Sequence, residues 1–449
     1  MYNPFIFKLA PGKSDVLDRK PSKDDLISSS TINLPLVSLG FHYFLHKTKN
    51  AMEITKSVES KNKFYYVVNP FEDKISNYED SVKNLTKDYL NIEAKEADIL
   101  SRAFYKMWEM LFIFNLADKK DFTYAALAEG PGAFIQAVIN FRQKLGSGVK
   151  NDKIFGVTIH PEKGKFIEMG KQFLGYYENK VPGLINIHET FSKNESLDHK
   201  GKDNGDITQV KTISLFKKDI EKSKNYADLV TADGGFDWDD ENYQEQEGYQ
   251  LILGEMVAAL RVQAKGGHFV LKIFETFTIP SIKLIYLLSS FYEDTYIYKP
   301  FFSRTSNSEK YIVCKGFKYD QNSIANKLKS LENILELMNS MKFVCDIYPD
   351  LDMPKEYLDR FKFINIKISN PQQIMINEIV KYIKENNYYG EKYHEFREKQ
   401  IEATKWWIGT FYPPSNNLFE KNKEEIQKIL KTTMEKNDTE QTKFLTQLL

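Results

Sequence analysis

Between residues 122 and 317, apolar runs of strand length alternate with helical patterns, and the first run breaks into Ala128-Glu129-Gly130-Pro131-Gly132-Ala133-Phe134 just before a helix. Strands joined through helices return across the same sheet and lie parallel, so this stretch is confined to the α/β class: a mostly parallel sheet with helices on both faces. The patterns predict strands at 122–128, 153–159, 227–232 and 268–274. Helices are expected at 133–145, about 164–174, about 245–265 and 281–291, with Gly266-Gly267 as C-cap glycines of the third. Runs 295–300 and 310–317 read as an antiparallel edge hairpin that closes the sheet. In such sheets ligands bind beyond the carboxyl ends of the strands.

Outside this core the patterns weaken. Residues 1–74 hold short apolar pieces broken by polar ones and read as a loosely organised N-terminal extension to the sheet domain of 75–320. Within the helical stretch 75–117, Leu100, Tyr105, Trp108, Leu111 and Phe112 recur as one buried face, which puts Lys106 one turn beyond Arg102. Residues 321–415 read as a helical addition packed on the domain, and 416–449 as a charged helical tail whose Glu and Lys suit a solvated helix. Trp406-Trp407 and Phe411-Tyr412-Pro413-Pro414 mark the end of the packed part, with core packing favoured over base stacking.

With 62 basic and 62 acidic residues the chain has no net charge, so contact with a polyanion has to come from a local cluster. Two cysteines, Cys314 and Cys345, cannot make a disulfide framework, and no early apolar run resembles a signal peptide or membrane span. A reducing, soluble compartment is expected, with no membrane partner. Lysine far outnumbers arginine, which reads as coding bias from an A+T-rich genome.

The polar residues fall where the sheet would place a site. Glu129 follows one strand, Asp233 ends another, Lys272 lies late in a third and Glu309 opens the last. The turn after Glu129 is not a P-loop, because no Gly-Lys-Ser/Thr follows, nor a dinucleotide fingerprint, because Ile135 and Gln136 stand where a third glycine would. It is either a plain strand-to-helix turn or a pocket for a ligand without pyrophosphate, such as the cationic sulfonium of S-adenosylmethionine. Asp206 reads as a loop or N-cap aspartate. Lys106, Asp233, Lys272 and Glu309 could each be surface charges, yet Lys272 interrupts Phe269, Val270, Leu271, Ile273 and Phe274 and has to reach a partner or a cleft. Two lysines and two acids together can hold one lysine partly neutral. That role is assigned to Lys272 as proton acceptor, with Asp233 and Glu309 orienting it and Lys106 stabilising a developing alkoxide. His42 and His46 could share a helix face, but no third metal ligand is evident and no metal is expected.

The blocks Ala128–Phe134 (AEGPGAF), 205–208 (GDIT), 228–236 (DLVTADGGF), 266–274 (GGHFVLKIF) and 299–316 (KPFFSRTSNSEKYIVCKG) resemble the FtsJ-type RNA ribose 2′-O-methyltransferases, above all the mRNA cap-methylating branch of eukaryotes and large DNA viruses. The resemblance runs from about 100 to 317. It implies a class I methyltransferase fold, with the family's Lys-Asp-Lys-Glu tetrad on Lys106, Asp233, Lys272 and Glu309. The S-adenosylmethionine loop then falls on Glu129, Gly130, Pro131, Gly132, Ala133 and Phe134, and the adenine side on Asp206 and Ile207. It implies capped mRNA 5′ ends as substrate, the capping or transcription machinery as partners, and a cytoplasmic, nuclear or viral replication setting. Ser101, Arg102, Lys299 and Arg304 are the candidate RNA contacts. The alternatives are methylation of structural RNA, and a catalytically silent RNA-binding or transcription-complex subunit. The chain departs from many class I methyltransferases in having Thr158-Ile159-His160-Pro161 after the second strand instead of an acidic residue, and His160 reads as a residue at a helix start.

Overall fold

The computed structural model describes residues 2–32, 37–58, 67–72, 81–160, 168–191, 203–223, 226–235, 242–341 and 343–448. Its strands are β1 (Phe5–Leu9), β2 (Leu26–Ser29), β3 (Thr123–Leu127), β4 (Lys153–Val157), β5 (Ile185–Ile187), β6 (Ala227–Ala232), β7 (Gln263–Ile273), β8 (Tyr292–Lys299), β9 (Lys310–Phe317) and β10 (Phe343–Ile347). Eight form one sheet in the order β1-β8-β9-β7-β6-β3-β4-β5, and β2 pairs with β10 separately. Strands β7, β6, β3, β4 and β5 are mutually parallel, while β9 runs antiparallel between β7 and β8. All of β3 is buried, as is β6 apart from Asp228, because helices cover both faces; this is why these strands read as unbroken apolar runs.

The strand and helix at the glycine turn lie where the sequence puts them, with the helix at Ala133–Leu145. The helix Ala103–Phe114 is buried from Phe104 onward at every residue except Lys106, and it stops at Asn115, which turns left-handed (φ 54°) and donates its N–H to Leu111 O at 3.1 Å. A buried helix with one polar exception directs that exception at a cleft.

Several expectations are corrected. Residues 5–9 are not loose: as β1 they form the sheet edge by pairing with β8, so the β8–β9 hairpin lies inside that edge. Gly266 and Gly267 are not a helix cap. The helix Tyr249–Val262 ends earlier, and pairing jumps from Ala227↔Gln263 to Leu229↔His268, so 264–267 bulge out of β7. The Gln263 side chain bridges the bulge, donating to Ala227 O at 3.0 Å and His268 O at 3.1 Å. The helix expected at about 164–174 runs Lys171–Lys180, with Phe173 and Tyr177 on its buried face; residues 161–167 lie outside the described residues. The stretch 75–117 divides into helices Val82–Leu90 and Ala103–Phe114.

At the C-terminus, β10 interrupts the helical addition. The helix Asn416–Leu448 is not a free tail: Phe419, Ile426, Leu430 and Asn437 are buried, and Asn437 Nδ2 donates to Ile6 O at 3.0 Å, covering the edge strand. Trp407 is core, as expected, with its Nε1 donating to Glu109 Oε1 at 2.9 Å. Among the described residues no helix is long and apolar enough to cross a membrane.

Candidate active site

Four elements bring the predicted tetrad together at the carboxyl edge of the sheet. Lys106, on the helix Ala103–Phe114, meets Glu309 Oε1 at 2.6 Å. Lys272, near the end of β7, meets Asp233 Oδ1 at 3.2 Å and donates to Asp233 O at 2.8 Å. Because β9 is antiparallel to β7 and pairs Lys310 with Ile273, Glu309 reaches the same end. The side chains are only 12–19% exposed, which keeps water from screening these charges. Burial alone would raise Glu309, but Lys106 and Lys272 outweigh it and hold the carboxyl down to about 2.

Lys272 differs from expectation. Burial pulls its pKa down, but Asp233, Glu309 and Glu255 together outweigh burial, and the net shift is upward. In the protein alone Lys272 is therefore an ammonium, held first by Asp233 and then by Glu309.

Three residues that sequence reasoning missed complete this centre. Tyr311, opposite Lys272 across the β7–β9 pair, donates its hydroxyl to Asp233 Oδ1 at 3.0 Å. Glu255, fully buried in the helix Tyr249–Val262, accepts the Gly234 N–H at 3.0 Å, and burial pushes its pKa up to about 8. An acid within Leu253-Gly254-Glu255-Met256-Val257 carries the same signal that Lys272 gives in its strand. Glu109 accepts from Trp407 Nε1, Tyr298 OH (3.0 Å), Phe301 N (2.8 Å) and Phe302 N (3.1 Å), and so anchors the loop that leads to Glu309.

The glycine turn lies beside this cluster. Ala128 (φ 52°) and Gly132 (φ 94°) are both left-handed, and a Cβ on Gly132 would stand 3.0 Å from Met169 Cγ. Glu129 closes the turn by accepting the Phe134 N–H at 2.8 Å on Oε1, while its buried Oε2 has no partner among the described residues. Burial, with Asp233 adding to it, raises Glu129 to about 8. The Asp206 loop packs against the neighbouring strand end: His160 N donates to Asn204 O at 2.6 Å, and Glu129 N to Val157 O at 3.2 Å. Asp206 itself accepts from Thr208 N (2.9 Å) and Oγ1 (2.7 Å), and Ile207 is buried against Gly254. A buried, unpartnered carboxylate oxygen beside two further acids suits a ligand bearing positive charge.

The candidate RNA contacts turn inward. Lys299 Nζ donates to Ser303 Oγ, Asn307 O, Asn307 Oδ1 and Glu309 O at 2.7–3.0 Å, and burial lowers its pKa to about 7. It pins the 300–309 loop rather than offering its charge outward. Arg304 pairs with Glu72 at 2.9 Å, and Arg102 pairs with the same carboxylate and with Phe302 O. Ser101 Oγ accepts from Ala103 N at 3.2 Å at the helix start. Arg304 also lines a cleft of about 800 Å³ with Lys49, Glu53, Lys56, Asn307 and Ser308, the last being the residue before Glu309.

The stretch that carries these residues is similar to known proteins. Residues 99–317 match the FtsJ-like methyltransferase family. Cap-specific mRNA (nucleoside-2′-O-)-methyltransferase 1 of Danio rerio is 32% identical over 210 residues, covering 45% of this chain and 25% of the relative. The Caenorhabditis elegans protein of the same name is 28% identical over 294 residues, 64% of this chain and 29% of the relative. Cap-specific mRNA (nucleoside-2′-O-)-methyltransferase 2 of Drosophila melanogaster is 27% identical over 273 residues, 59% of this chain and 36% of the relative. The chain thus spans about a quarter to a third of the length of these curated relatives. Residues 99–317, the stretch that carries the whole candidate tetrad, are thus similar to the FtsJ-like methyltransferases.

Proposed function

We propose that this protein is an S-adenosylmethionine-dependent RNA ribose 2′-O-methyltransferase that acts on the capped 5′ end of mRNA. The observation that carries the reading is the convergence of the Lys106–Glu309 and Lys272–Asp233 pairs beside the left-handed glycine turn. Glu129 to Phe134, Asp206 and Ile207 would hold the cofactor, which supplies a methyl group on a positively charged sulfur. The partnerless Glu129 Oε2 supports that fit.

Lys272 Nζ accepts the proton of the ribose 2′-hydroxyl, and Lys106 offers its ammonium to the oxygen as negative charge develops. Lys272 must first release its own proton to solvent. Positive charge bound among Glu129, Asp233 and Glu255 lowers the pKa of a neighbouring ammonium, so the site becomes basic only when assembled. Asp233 and Tyr311 fix the direction of the amine, and holding the reactants in line supplies a large part of the acceleration. The cleft beside Glu309, with Lys49, Lys56 and Arg304 on its walls, is the path assigned to the RNA. A 2′-hydroxyl acceptor restricts the substrate to RNA.

The test is transfer of labelled methyl groups to capped RNA, uncapped RNA and structural RNA, with Lys272→Ala alongside. Transfer confined to capped RNA and lost in the variant is expected. Transfer to structural RNA alone would redirect the reading to that substrate, and RNA binding without transfer to any of the three would mark a catalytically silent subunit.

A further inference from the structure

The helix Leu39–Asn50 carries His42 and His46 one turn apart, with ring centroids 3.8 Å from each other. Glu275, three residues beyond Lys272, lies against them: His46 Nε2 and Glu275 Oε2 are 2.8 Å apart. One ring nitrogen from each histidine and one carboxylate oxygen all fall within 4.8 Å of one another. The sequence offered the histidine pair without a third donor; the fold brings one from more than two hundred residues away.

Glu275 sits on a clamped segment. Lys310 Nζ donates to Phe274 O, Asn365 exchanges hydrogen bonds with Thr276 at 2.7 and 2.8 Å, and buried Glu245 accepts the Phe277 and Thr278 N–H groups at 2.9 Å each. The carboxylate therefore has little freedom to follow a partner. His42 is 7% exposed, and its Nε2 has no hydrogen-bond partner among the described residues. A buried ring nitrogen with nothing to bind is costly, and it is accounted for if an ion takes its lone pair.

We propose that His42, His46 and Glu275 bind a divalent transition ion of the zinc class, clipping the helix Leu39–Asn50 to the end of the strand that carries Lys272. Two imidazoles and one carboxylate form a donor set that zinc accepts with a further position open. At bond lengths of about 2.0–2.1 Å, tetrahedral donors lie roughly 3.3 Å apart, against the 4.8 Å within which the three donors already fall. Lys49 Nζ contacts the other carboxylate oxygen, Oε1, at 3.1 Å. It leaves Oε2 to the ion and, as a neighbouring cation, weakens binding.

The full chain, stripped with chelator, is titrated with Co²⁺ followed by visible absorption and with Zn²⁺ followed by calorimetry. One equivalent is expected, with cobalt bands of a four- or five-coordinate site. His42→Asn and His46→Asn should each weaken binding by at least the roughly 100-fold that loss of an outer-shell partner can cost. Lys49→Met should tighten it, which a purely structural ion pair does not predict, and far-UV circular dichroism identifies any variant that fails to fold. The proposal is overturned if a folded His42→Asn binds both ions as the parent does, or if neither the parent nor Lys49→Met binds them.

Discussion

Gly205→Ala tests whether the Asp206 loop holds the cofactor. Gly205 has φ 74°, and an added Cβ would stand 2.2 Å from Thr158 O and 2.8 Å from Thr190 Cγ2. The left-handed backbone costs an alanine about 1–2 kcal/mol. A carbon needs about 3.3 Å from a carbonyl oxygen, so the loop has to move about 1 Å away from Thr158. That movement breaks the 2.6 Å His160 N to Asn204 O bond, worth about 1 kcal/mol, and carries Asp206 and Ile207 outward. Together the substitution costs about 2–3 kcal/mol locally, and a displacement of this size at a positioning loop lowers function about 100-fold. Calorimetric titration with S-adenosylmethionine should show cofactor affinity falling by about 10- to 100-fold, while the rate at saturating cofactor holds, because the tetrad lies on other elements. Unchanged affinity in a folded variant would refute the placement of the cofactor against this loop.

Lys272→Met should lower the methyl-transfer rate by about 10²- to 10⁴-fold with the fold intact, as measured by single-turnover transfer. Because the Lys272 pKa is raised in the protein alone, its neutral fraction increases with pH throughout the neutral range, so kcat/KM for the cofactor, which reports the free enzyme, should climb about tenfold per pH unit; a flat profile in the parent would remove Lys272 as proton acceptor. Lys299→Met should loosen the 300–309 loop and lower the rate, yet leave the salt dependence of RNA binding unchanged. A phosphate contact would instead reduce that slope by about 0.7, which a binding series across salt concentrations resolves. Arg142, fully buried, pairs with Asp152 and donates to the carbonyls of Ala117, Lys119 and Lys120, so Arg142→Met strands a buried carboxylate and should cost about 3–5 kcal/mol in chemical denaturation. Stability equal to the parent would show that Asp152 finds other partners.

What the sequence made legible, and what it hid, follow from the range of the forces involved. The sheet centre was readable because β3 and β6 are covered on both faces and so carry unbroken apolar runs, and the same background exposed Lys272 as an anomaly. The edge strand β1 was not, because five residues carry little periodicity and their partner, β8, lies almost three hundred residues away. The helix Asn416–Leu448 looked solvated because its buried stripe is narrow, serving to cover that edge and to pack Phe419 on Phe112 of the helix Ala103–Phe114. Charge signs could be counted from the sequence, but distances could not, and distance decides the state of Lys272. Two lysines and two acids suggest balance. The fold instead pairs Lys106 with Glu309 at 2.6 Å and leaves Lys272 facing Asp233, with Glu255 and Glu309 adding to the same field. A centre so arranged is stable while it waits, because each ammonium has its carboxylate. On the proposed reading it would turn basic only with positive charge bound among those carboxylates, which would tie proton removal to the binding of a cationic methyl donor.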